Sequence, residues 1–100
     1  MIKIVNKKVY AGEGVYIGRP SVLGNPFKIG VHGDREQVIE KYRVWLRGEW
    51  KKDGKVKQEL IRLAKLSKEG DLILICWCYP KACHGDVLKD AIEKITKARF

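Results

Sequence analysis

Asp71-Leu72-Ile73-Leu74-Ile75-Cys76-Trp77-Cys78 is the stretch on which the fold turns. From Leu72 to Cys78 every position is apolar, so the alternation of a half-solvated strand is missing and a strand covered on both faces is expected. A central strand needs neighbours. Two short β-prone segments, Ile2 to Val5 and Gly14 to Ile17, precede it, separated by the turn signal Ala11-Gly12-Glu13-Gly14.

Between the early strands and the central one lie a loop and two helical patterns. Gly and Pro punctuate Gly18 to Gly33, with a short extended piece at Phe27 to Ile29. Asp34 and Gln37 then form an Asp-x-x-Gln capping box, and Val38, Tyr42, Trp45 and Leu46 recur at helical spacing, predicting a first helix from Asp34 to Arg47. A second helix is expected from Lys55 to Lys68, with Val56, Leu60, Leu63 and Ala64 on its apolar side and Gly70 ending it. After the central strand, Val87, Leu88, Ala91, Ile92 and Ile95 mark a third helix from about Gly85 to Lys97, whose carboxyl end carries Lys94, Lys97 and Arg99.

The order strand, strand, helix, helix, strand, helix predicts a small Rossmann-like α/β domain of two or three layers with a mainly parallel sheet. Its helical crossover is expected to be right-handed. If Gly14 to Ile17 and Leu72 to Trp77 are parallel neighbours, the loops Gly18 to Phe27 and Cys78 to Gly85 leave the sheet at the same carboxyl edge, where open α/β sheets bind ligands.

A chain of 100 residues that is 45% apolar suits a single domain, residues 1 to 100, with one core. No apolar run approaches the roughly 20 residues of a spanning helix, and Met1 to Lys8 mixes polar with apolar, so neither a membrane segment nor a signal sequence is expected and the chain reads as cytoplasmic. Its Lys, Glu, Ile and Val content resembles that of heat-adapted proteins. The net charge of +9 makes a polyanion, nucleotide or nucleic acid, the expected partner, against the plainer alternative that Lys-rich helices only confer solubility. Positive charge is densest from Lys41 to Lys57, so Lys51 and Lys52 are expected at phosphates and Trp50, placed in a basic interhelical loop, at a base. Trp45 and Trp77 read as core. An exposed edge strand could support a homodimer.

All three cysteines fall within Cys76-Trp77-Cys78-Tyr79-Pro80-Lys81-Ala82-Cys83-His84-Gly85-Asp86. A C-x-C pair is awkward for a disulfide, which favours reduced thiols, although heat-adapted intracellular proteins form disulfides and keep that option open. Three assignments compete. Cys76, Cys78, Cys83 and His84 could hold a zinc ion, at a spacing unlike the usual knuckles. Cys83 or His84, at the amino end of the third helix, could be a reactive group near a bound anion. Cys76 and Cys78 could instead pack as small hydrophobes while His84 or Asp86 caps the helix. In the other loop, Gly18, Arg19, Ser21 and Asn25, together with Cys78, are candidate ligand contacts: glycine permits close backbone approach, Arg19 offers a fork for phosphate, and Asn25 an amide.

Val15-Tyr16-Ile17-Gly18-Arg19-Pro20-Ser21, Gly24-Asn25-Pro26-Phe27, Asp34-Arg35-Glu36 and Cys76-Trp77-Cys78 with Pro80 and Cys83-His84-Gly85-Asp86 resemble an uncharacterised family of small prokaryotic and phage proteins, the domain of unknown function numbered 4326. The resemblance implies that Arg19, Asn25, Cys83, His84 and Asp86 form one site, and names no activity. The expected function is therefore binding of a nucleotide or nucleic acid, with a Cys/His hydrolase or transferase site in which His84 acts as acid or base, Cys83 as nucleophile and Asp86 as the orienting or capping group. A non-catalytic nucleic-acid adaptor with a structural zinc is the alternative. On the site reading, His84 and Arg19 should be replaceable with little loss of stability.

Overall fold

Leu72–Cys76 is the middle strand of a three-stranded parallel sheet in the computed structural model, which describes residues 1–100. In chain order the elements are β1 (Ile2–Asn6), β2 (Val15–Tyr16), α1 (Arg35–Lys51), α2 (Lys55–Glu69), β3 (Leu72–Cys76) and α3 (His84–Arg99), and the sheet order is β1-β3-β2. Ile2 pairs with Leu72 and Ile4 with Leu74 on one side of β3, while Val15 pairs with Leu74 and Tyr16 with Ile75 on the other. The small α/β fold read from the sequence is the one observed.

Coverage of the sheet differs from expectation. Leu72, Leu74 and Cys76 are buried and share one apolar cluster with residues of all three helices, including Tyr42, Leu60, Leu63, Leu88 and Ile92. Ile73 and Ile75, on the opposite face, are only half-buried. The molecule is thus a two-layer sandwich, because α1 and α2 are both spent on a single crossover and α3 packs beside them. A continuous apolar run does not distinguish this from two-sided burial. No helix is long and apolar enough to cross a membrane.

A local signal explains the start of α1. Asp34 accepts from the Gln37 N–H at 2.9 Å, and the Gln37 side chain accepts from the Asp34 N–H at 2.9 Å, which completes the reciprocal cap. Helix α1 runs past Arg47 to Lys51, since Trp50 packs against the core and draws one further turn into the helix. Phe27 to Ile29 forms no strand; the connection from Gly18 to Gly33 is a chain of turns.

Candidate functional site

Parallel pairing of β2 with β3 puts the loops after both strands at one edge of the sheet, and the chain stitches them together there. The Ile17 N–H continues the ladder to Ile75 O at 2.9 Å. Beyond it, Ser21 N–H bonds Gly18 O at 2.9 Å and Gly24 N–H bonds Ser21 O at 3.0 Å, folding the loop back on itself. A Cβ on Gly24 would stand 3.0 Å from the Arg19 backbone, so any larger residue would push the Arg19 segment outward. Two side-chain bonds then join the loops: Trp77 Nε1–H donates to the Tyr16 hydroxyl at 2.9 Å, which itself donates to Arg19 O at 2.9 Å, and His84 Nε2 lies 2.7 Å from Ile17 O.

Between them opens a cleft of about 550 Å³. Its charged lining residues are Arg19, Lys28 and Arg35, and no carboxylate lines it. Arg19 is held by a bond from Nη1 to Asn25 O at 3.0 Å, and Arg35 by one from Nη1 to Ala82 O at 2.9 Å, so each fork keeps further N–H donors. Arg35 and His84 are the first residues of α1 and α3, so two helices start at the cleft with the positive ends of their dipoles. Trp77, half-exposed, and Phe27 supply aromatic surface.

The amino end of α3 is less open to an anion than expected. Cys83, not His84 or Asp86, is the N-cap: its sulfur accepts from Gly85 N–H at 3.3 Å, and Asp86 reaches back to accept from Cys83 N–H at 3.1 Å. Protein groups therefore occupy two donors that a ligand would need. Cys83 is buried and also lies 3.6 Å from the sulfur of Cys76, whereas Cys78 lines the cleft. No group of three or more His, Cys, Asp or Glu side chains is placed to hold a metal ion. The zinc arrangement of Cys76, Cys78, Cys83 and His84 thus fails on geometry: Cys76 faces the core, Cys83 caps α3, and the imidazole is turned to Ile17 O.

His84 is 8% exposed and sits edge-on to Tyr42, ring centroids 5.0 Å apart. Because a carbonyl only accepts, Nε2 carries the proton and Nδ1 keeps the lone pair. Burial, helped by Arg19 and opposed by the bond to Ile17 O and by Asp86, pushes the imidazole below its ordinary range, so it is neutral at pH 7. A depressed folded-state value makes protonation costlier in the folded chain than in the unfolded one. Stability from this group is complete above the ordinary value of 6.5 and falls as pH drops below it. The midpoint of thermal unfolding should therefore fall between pH 7 and pH 5.5 by more in the wild type than in His84→Gln; equal slopes would contradict the buried, neutral ring.

Other expected contacts are placed less favourably. The Asn25 amide serves the loop, accepting from Phe27 N–H at 2.8 Å with Nδ2 at 3.5 Å from Val38 O. Gly18 lines the cleft, but Ser21 does not; its buried Oγ has no partner. Trp50 lies within α1, not in a loop, partly packed against the core, with Lys57 Nζ 5.2 Å and Arg99 5.6 Å from its ring, and it does not line this cleft. Lys52 pairs with Glu49 at 2.8 Å, and Lys51 is exposed in the last turn of α1, away from the cleft. Trp77, expected in the core, is half-exposed, because it falls on the face of β3 that no helix covers. Arg35, Lys28 and Phe27 were not singled out as contacts; only the tertiary fold brings them to the Arg19 loop.

A family model described as domain of unknown function (DUF4326) matches residues 2–94. No curated protein and no solved structure matches the chain.

Proposed function

The chain belongs to the family described as domain of unknown function (DUF4326), and from that premise we propose that its cleft binds a nucleotide, with the phosphate on Arg19 and Arg35 and the base against Trp77. One observation carries this: every charged residue lining the cleft, Arg19, Lys28 and Arg35, is cationic, beside a half-exposed indole. Guanidinium forks match phosphate oxygens, and an indole face accepts any base. In a hydrolytic or group-transfer step His84 would be the proton acceptor, through Nδ1, since its ring is neutral and the cleft offers no carboxylate as an alternative base.

Calorimetric titration with nucleoside monophosphates, nucleoside triphosphates and inorganic phosphate tests the reading. Nucleotides should bind more tightly than phosphate alone, and affinity should fall only shallowly with salt, because one or two phosphate charges are engaged. Single-stranded oligonucleotides measured in parallel distinguish the alternative: a steep salt dependence with no nucleotide binding would move the function to the Lys-rich helices and reject the cleft as its seat.

A further inference from the structure

We propose that Cys76 and Cys83 are an oxidation site, closing to a reversible disulfide when the protein meets a hydroperoxide. Their sulfurs lie 3.6 Å apart, Cys83 donating to Cys76, while Cys78 stays out of this contact. A disulfide needs about 2 Å between sulfurs, a modest approach for residues at the two ends of a short turn. That turn can give: Trp77 and Tyr79 within it are about half-exposed, 50% and 47%. Cys83 also borders the cleft, so a small oxidant entering there meets Cys83 first, with the buried Cys76 sulfur 3.6 Å behind it.

The two thiols are unlike. The S–H of Cys83 lowers the Cys76 thiol to about 6, outweighing burial, whereas the same bond and burial hold the Cys83 thiol far above the ordinary range. Cys76 is therefore the nucleophile. Its sulfur takes the terminal oxygen of the peroxide, the O–O bond breaks, and the departing oxygen leaves as water after taking up a proton, or as an alcohol from an organic hydroperoxide. Cys83 sulfur then attacks the sulfenic acid, loses its proton and releases a second water. The peroxide is reduced, the two thiols are oxidised, and a dithiol restores them.

The tryptic pattern reads the outcome directly, because Lys81 lies between the two cysteines. Reduced protein is treated with stoichiometric hydrogen peroxide, its remaining thiols are alkylated, and it is digested with trypsin. Residues 69–81 and 82–89 should appear as one cross-linked species with the alkyl group on Cys78, and should separate on treatment with dithiothreitol. Cys78→Ser should keep the link and Cys76→Ser should abolish it. A link that runs through Cys78, a link that survives Cys76→Ser, or sulfinic acid at Cys76 as the main product would each overturn the assignment. Wild type and Cys78→Ser suffice to decide it, should Cys76→Ser fold poorly. No ligand enters the experiment, so its result stands apart from that for nucleotide binding.

Discussion

His84→Ala is expected to lower the free energy of unfolding by about 2–4 kcal/mol, a sizeable fraction of the roughly 5–15 kcal/mol available to a domain of this size. The substitution empties a site that is 8% exposed and packed on Tyr42, and it strips Ile17 O of its 2.7 Å partner. Leaving a buried carbonyl unpaired costs about 1–3 kcal/mol, and losing an aromatic edge contact adds about 0.5–1.5 kcal/mol. Urea unfolding followed by circular dichroism measures the loss, and a change below about 0.5 kcal/mol would show that the imidazole is not the clamp described. The same result bears on how ligand binding must be tested. Because His84 joins the end of β2 to the start of α3, its removal disturbs the cleft walls and weakens binding for structural reasons alone. The burial of His84 argues against the expectation that it can be replaced with little loss of stability.

The central strand, the capping box at Asp34 and the meeting of the two loops were legible in the sequence, and each for a local or topological reason. The run from Leu72 needs only composition and length to be a strand. The loops meet because parallel neighbours share a carboxyl edge, a rule independent of side-chain detail. What stayed hidden depends on element boundaries and on tertiary placement. Trp77 follows the end of β3 on the side of Ile73 and Ile75, the face that no helix covers, and so stands half-exposed at the cleft. Letting α1 run to Lys51 carries Trp50 from a loop into the helix, partly packed against the core. Cysteine is an uncommon cap, so Cys83 suggests chemistry before structure. Yet Cys83-x-x-Asp86 has the spacing of a capping box, and the thiol stands where a hydroxyl usually does. Arg35 carries no local mark: at the first position of a helix an arginine reads as solvent-exposed, and only its bond to Ala82 O reveals that it faces the other loop.

Arg19→Gln with Arg35→Gln should reduce nucleotide affinity by more than about a hundredfold, the largest effect on binding that the cleft supports. A hydrogen bond to a charged group contributes about 1.5–3 kcal/mol, so each single change is expected to cost about ten- to a hundredfold. Unlike His84, both side chains make one bond to a loop carbonyl and are otherwise available, so unfolding by urea should shift little and the loss can be read as binding. Arg19→Lys should not restore the wild-type affinity, because an ammonium keeps the charge and loses the planar fork. The two single losses also report on geometry: if both guanidiniums hold the same phosphate, the double variant should depart from the sum of the singles, whereas independent contacts should add. Lys51→Gln with Lys52→Gln is the control, since neither lysine lines the cleft. Should that pair abolish binding while the arginine double variant retains it, the phosphate lies along the helices and the cleft is not its seat.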